Sequence, residues 1–195
     1  MGLTALLMRG LALILVVALT TSLTSCAPKA HVVATAQGPA TELSIQEIMA
    51  SIVDPAADSL WDAVGSTVTP GKSEDRAPRT DRDWQQARHW AVALVEGPNL
   101  LVMHGRAVAV PGGKLDDADV PGITPAYEIR KLIDADPAAF ALKAKALQDA
   151  GIVALKAIDA RNAPGLLAAG GQIDTACENC HLKYWYPNAP RPPEH

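Results

Sequence analysis

Three side chains near the end of the chain have the types and the spacing to act together. They are Cys177, Cys180 and His181, in Cys177-Glu178-Asn179-Cys180-His181. C-x-x-C-H is the attachment sequence for c-type haem. Two thiols at this spacing add to the two vinyl groups of the porphyrin as thioethers. The imidazole directly after the second thiol reaches the iron as its fifth ligand. On a helix turning ~100° per residue the three positions share about 100° of arc, so one face holds a ring edge and its iron. Three other chemistries use such cysteines. A thioredoxin-like redox pair sits at a helix start after a strand, in an alternating β/α chain. A zinc site needs four ligands, and the sequence has no second cysteine pair. A disulfide across two residues within a helix is strained. The motif reads best as the site of one covalently bound haem c.

The elements that must position this motif read as helices. Alanine is plentiful and Val/Ile/Thr runs are few. Ser44-x-x-Glu47 is a capping box, and apolar residues from Ile45 to Val64 follow the 3,4 repeat of an amphipathic helix. Pro55 predicts a kink in it, and Gly65 its end. Residues 66–79 read as a polar loop. A second helix starts near Thr80 or Asp81, with a kink or an end at Gly97-Pro98. Residues 104–123 read as a loop long enough to cover something. Thr124-Pro125 reads as the cap and first position of a short helix to about Ile133. A third helix has Asp136 as cap and Pro137 at its first position. A fourth follows Asn162, and Pro187 bounds its end. No strand pairs are expected. The fold class predicted is all-α, an antiparallel four-helix bundle with the haem at one end.

The chain has 195 residues, a length suited to one domain, and a net charge of −4. That charge argues against a nucleic-acid binder. Three cysteines are too few for a disulfide-stapled fold. Leu23-Thr24-Ser25-Cys26 follows an apolar run, Leu11–Leu23, too short for a confident membrane span. It resembles the lipoprotein box of bacteria. The resemblance implies that residues 1–25 are a signal peptide and that Cys26 carries lipid. Cleavage would remove Arg9 and no acid, taking the charge from −4 to −5. Residues 26–42 then form a flexible tether, with His31 solvated in it, and residues 43–195 the haem domain. The expected location is the periplasmic side of a bacterial membrane. Ala27 after the cysteine implies the outer membrane rather than the inner.

A helical chain with C-x-x-C-H on its last helix resembles the class II c-type cytochromes, the cytochrome c-prime family. The architectural likeness spans about residues 43–186. It implies that His181 is the proximal ligand. For the sixth ligand, no Met lies among residues 182–195, where His195 is the sole candidate. Upstream, the mature chain offers Met49 and Met103. In an up-down-up-down arrangement Met49, early in the first helix, is level with His181. In low-spin family members a first-helix methionine fills this position, and Met49 matches that placement. Met103 and His104 reach the same end and compete with it. A core-filling Met49 beside an open iron is the other reading. Phe140 is a candidate pocket wall. Arg76, Arg79, Arg82 and Lys183 are candidate partners of haem propionates. His89 reads as a solvated or rim histidine, and Trp61, Trp84 and Trp90 as core. The tail Tyr184-Trp185-Tyr186-Pro187 resembles that of a subset of the family with unassigned partners.

The function expected is one-electron transfer by a membrane-tethered haem c protein, a carrier rather than an enzyme. Its partners would be redox proteins of the cell envelope, with a homodimer left open. One alternative is a gas-binding protein with a five-coordinate haem. Another is a structural or sensory lipoprotein without redox turnover.

Overall fold

The computed structural model describes residues 40–188. Residues 1–25, most of the tether with Cys26 and His31, and His195 lie outside the described residues. The helix starts follow from local chemistry. The hydroxyl of Ser44 accepts from the Glu47 backbone N–H at 3.2 Å, and the Ser44 N–H donates to the Glu47 carboxylate at 2.8 Å. This closes the predicted capping box on α1, Ile45–Ile48. Thr80 and Asp83 form the same device on α3, Asp81–Leu101. Asp136 caps α5, Pro137–Asp159, and Asn162 caps α6, Ala163–Tyr184.

The predicted kink at Pro55 takes a specific form. Between α1 and α2, Asp54–Ala63, the chain makes a π-helical turn over Met49–Val53, closed by the Asp54 N–H on the Met49 carbonyl. Pro55 has no N–H to donate and its ring crowds the carbonyl of Ser51. The wider turn just before it relieves that crowding. Pro98, by contrast, does not end α3, which continues to Leu101.

α2 packs on α3, α3 on α5, α5 on α6, and α6 back on α2. Leu60, Leu94, Leu166 and Ile173 are fully buried among them. Small residues let the helices approach. A Cβ at Gly97 would lie 3.0 Å from Val53, and one at Gly170 3.1 Å from the Trp61 ring. Trp61 instead lies across Gly170 and donates its indole N–H to that carbonyl at 3.1 Å. The described chain is mostly helical, in keeping with the all-α expectation.

Two local expectations are corrected. Residues 66–79 are not all loop. β1, Gly65–Thr69, pairs antiparallel with β2, Lys72–Arg76. Pro70-Gly71 makes the turn, with Gly71 at φ +79°, where a side chain would be strained. Nearly every hairpin residue is exposed, so no apolar alternation marks the strands. The second correction concerns the short helix α4, Ala126–Ala135. Pro125, not Thr124, is its N-cap, and no side chain caps it.

The loop between α3 and α4 does cover something. Its Ala107 and Val108 carbonyls accept the Ile45 and Gln46 N–H groups at 2.8 and 3.0 Å. These donors would otherwise be orphaned at the α1 start. The loop's Arg106 is buried and donates to the carbonyls of Leu43 and Leu100. Among the described residues no helix is long and apolar enough to cross a membrane.

Candidate functional site

The last turns of α6 carry Cys177, Cys180 and His181, all half-buried, with both thiols free. Beside them is a cavity of about 260 Å³ whose lining includes Cys180, His181, Met49, Phe140, Ile129 and Asp54. Met49 thus faces the same space as His181. It stands at the first position of the π turn. Cys177 does not line this cavity.

Burial governs the electrostatics. It holds the His181 imidazole below its ordinary pKa, against the pull of Asp54 and Glu178. The ring is therefore neutral near pH 7 and offers a lone pair. Burial pushes the Cys177 thiol up to about 12, with Asp54 adding to it. It pushes Cys180 up to about 11, against Lys143 and Lys183. Both are protonated at neutral pH, the opposite of the low-pKa thiolate a redox-active pair requires. Burial likewise raises Asp54, which His181 partly counters. Among the described residues no group of three or more His, Cys, Asp or Glu is arranged to hold a metal ion by itself.

The chain after α6 folds back on the histidine. Trp185 lies 6.2 Å and Tyr186 5.8 Å from the His181 ring, centroid to centroid. Tyr186 donates its hydroxyl to Glu178 at 2.6 Å. The Trp185 carbonyl accepts the Thr124 N–H at 2.7 Å, tying the tail to the start of α4. Tyr184 is buried edge-on to Phe140 at 5.3 Å.

The other candidates separate clearly. The Met103 sulfur accepts from Arg106 at 3.2 Å, and neither Met103 nor the exposed His104 lines the cavity. Arg76 lies 3.9 Å from Asp62, at the far end of α2. From Met49 to Asp62 the helical run spans about 20 Å at ~1.5 Å per residue. Arg79 donates to the Asp75 carbonyl and Arg82 is exposed at the start of α3. Of the four proposed propionate partners only Lys183, over the Tyr184 ring, is at the cavity end. His89 is exposed beside Trp90. Trp84 is buried, while Trp61 and Trp90 are half-buried against the core. The sequence reading missed Asp54 at the cavity and the buried Arg106. An acid at the kink and an arginine in a long loop carry no spacing that announces them. No protein-family model, curated protein or solved structure matches the chain.

Proposed function

We propose that the protein is a membrane-tethered c-type cytochrome, a four-helix bundle of the cytochrome c-prime kind, that carries one electron. The observation that carries this reading is that Cys180, His181 and Met49 line one largely apolar cavity beside a C-x-x-C-H motif. The donor set fits a covalent haem. It comprises two free thiols for thioether bonds, a neutral imidazole and a neutral thioether sulfur. The cavity lies just under the roughly 300–1,000 Å³ of small-molecule sites. Asp116 and Asp117, on the exposed loop, line its outer side.

Bound haem would supply a ferrous/ferric couple for one-electron exchange, with a potential that a His/Met donor pair would raise. Cys177 and Cys180 would fasten it as thioethers, and His181 and Met49 would hold its iron. Phe140, Ile129 and the aromatic tail, which line the cavity, would shield that iron from water. Cys26 holds the domain at the periplasmic face of a bacterial membrane, where envelope redox proteins exchange the electron. The deciding experiment is expression with a cytochrome c maturation system. The intact mass should exceed the polypeptide by one haem that resists acid-acetone extraction, and the protein should partition with membranes. Extractable or absent haem overturns the reading. A high-spin ferric spectrum in the intact protein would favour the five-coordinate, gas-binding alternative.

A further inference from the structure

The π turn over Met49–Val53 decides which side chain of the first helical run enters the core. On a straight α-helix, at ~100° per residue, Met49 would stand ~40° from Val53 and Ile48 ~140° from it. Val53 is fully buried, and so are Ala56 and Leu60 on the turns that follow. A straight run would therefore put Met49 in the middle of the buried stripe and Ile48 at its margin. The structure has the reverse. Ile48 is only 3% exposed, while Met49 is half-buried and lines the cavity beside His181. Two core residues five positions apart, Ile48 and Val53, mark a turn that carries one residue more than an α turn.

Two features make room for that extra residue here. Pro55 cannot donate to the Ser51 carbonyl and its ring crowds it, so a straight run through this position is opposed. On α3, Gly97 leaves space for the wider turn. A Cβ there would lie 3.0 Å from Val53 and 3.5 Å from Ile52. Single π turns inside α-helices recur at functional sites. In this one, the gain is the direction of a single sulfur.

We propose that Pro55 is a positioning residue. By imposing the π turn it seats Ile48 in the core place that Met49 would otherwise fill, and it turns Met49 into the cavity that His181 lines. The use of that placement, a sulfur offered to haem iron, rests on the cytochrome reading. The placement itself does not.

The test compares the parent full chain with Pro55→Ala, and with Pro55→Ala from which Ser51 is also deleted. Alanine permits a straight α-helix. Deleting Ser51, which is exposed, removes the extra residue, so Ile48 falls four positions before Val53 and Met49 keeps its present direction. In haem-free protein, dilute hydrogen peroxide should oxidise Met49 several-fold more slowly in Pro55→Ala than in the parent, because a sulfur in the place of Ile48 is out of water. The deletion should restore the parent rate. Met103, beyond the end of α3, should oxidise alike in all three, and peptide mass mapping reads each site. In protein carrying covalent haem, the weak far-red sulfur-to-iron band should be lost in Pro55→Ala and return with the deletion. A proline that only stabilised the fold would not be rescued by removing a residue. An unchanged Met49 oxidation rate in Pro55→Ala, a loss of helicity in that variant by circular dichroism, or no restoration by the deletion would overturn the proposal. A parent with covalent haem but no sulfur band would instead overturn the ligand role of Met49, and the peroxide rates would still decide where Pro55 puts it.

Discussion

The two ends of the helical core treat charge in opposite ways. Where α6 finishes, an imidazole, two thiols and a carboxylate are drawn partly out of water, and burial shifts each toward its uncharged form. Where α5 turns into α6, the ionisable groups stay in solvent and pair across the surface. Arg88 meets Asp159 at 2.8 Å and Arg161 meets Asp81 at 2.5 Å, every side chain at least half exposed. Surface pairs of this sort contribute about 0–1 kcal/mol each. Withdrawing a titratable group from water costs stability but gives it a defined protonation state, which chemistry requires and packing alone does not. The comparison separates an end where titratable groups are drawn out of water from one where they stay solvated.

The largest effect expected from breaking this contrast is at the thiols. Cys177→Ala or Cys180→Ala should leave single-thioether or unstable product, and the double variant no covalently retained haem. Intact-mass measurement after acid-acetone extraction reads this directly. Retention of the full haem mass by the double variant would remove the chemistry from this end altogether.

Next in size is the methionine exchange. Met49→Ala should convert a low-spin haem to high-spin, abolish the weak far-red band from sulfur to ferric iron, lower the potential, and open the iron to carbon monoxide. Met103→Ala should do little, because its sulfur already meets Arg106 outside the cavity. The reverse outcome would leave the reactive end where it is but transfer the ligand to α3's terminus.

These predictions draw on what was legible in the sequence, and the pattern of success is physical. Ser44-x-x-Glu47, Asp136-Pro137 and Asn162 announced their helices because a cap closes on its own next three residues. Met49 was singled out because apolar spacing put it on a stripe, alternating helix direction put it level with His181, and the family resemblance pointed to a first-helix methionine; the structure brings it to the cavity that His181 lines, and its role there belongs to the proposal. The hairpin was missed because Thr67-Val68-Thr69 faces solvent, so burial imposed no alternation on it. The propionate candidates were misplaced because an arginine's charge says nothing about which end of a helix it occupies. Arg76 belongs with Asp62, not with the cavity. The tail meets His181 through local bonds, the Trp185 and Tyr186 N–H groups on its carbonyl, but the further tie of Trp185 to Thr124, far upstream, has no local pattern to encode it.

A smaller effect sharpens the contrast from the solvated side. Arg88→Ala should lower stability by no more than about 1 kcal/mol, since it removes one exposed pair. Chemical denaturation would measure this. The visible spectrum and haem retention should stay those of the parent. A spectral change would mean that the far end couples to the site, which its separation and solvation argue against.

The smallest effect concerns Asp83 in the second capping box. Its carboxylate accepts the Arg79 and Thr80 N–H groups at 3.0 and 2.9 Å. Those backbone hydrogen bonds, with one from the Thr80 side chain, hold its pKa below the ordinary 3.8. A carboxyl whose folded pKa is depressed stabilises the fold in its ionised form. The contribution is complete above the unfolded value and is lost as pH falls through the lower folded one. Asp83→Asn keeps a carbonyl for one N–H but removes the charge that favours this helix start. It should therefore lower the melting temperature slightly at pH 7. The difference from the parent should shrink below the ordinary aspartate range and vanish once the parent carboxyl is protonated. Melting curves from pH 7 down into the acid range would follow it. A difference that did not depend on pH would assign the loss to geometry rather than charge. This helix start would then be held by hydrogen bonding alone.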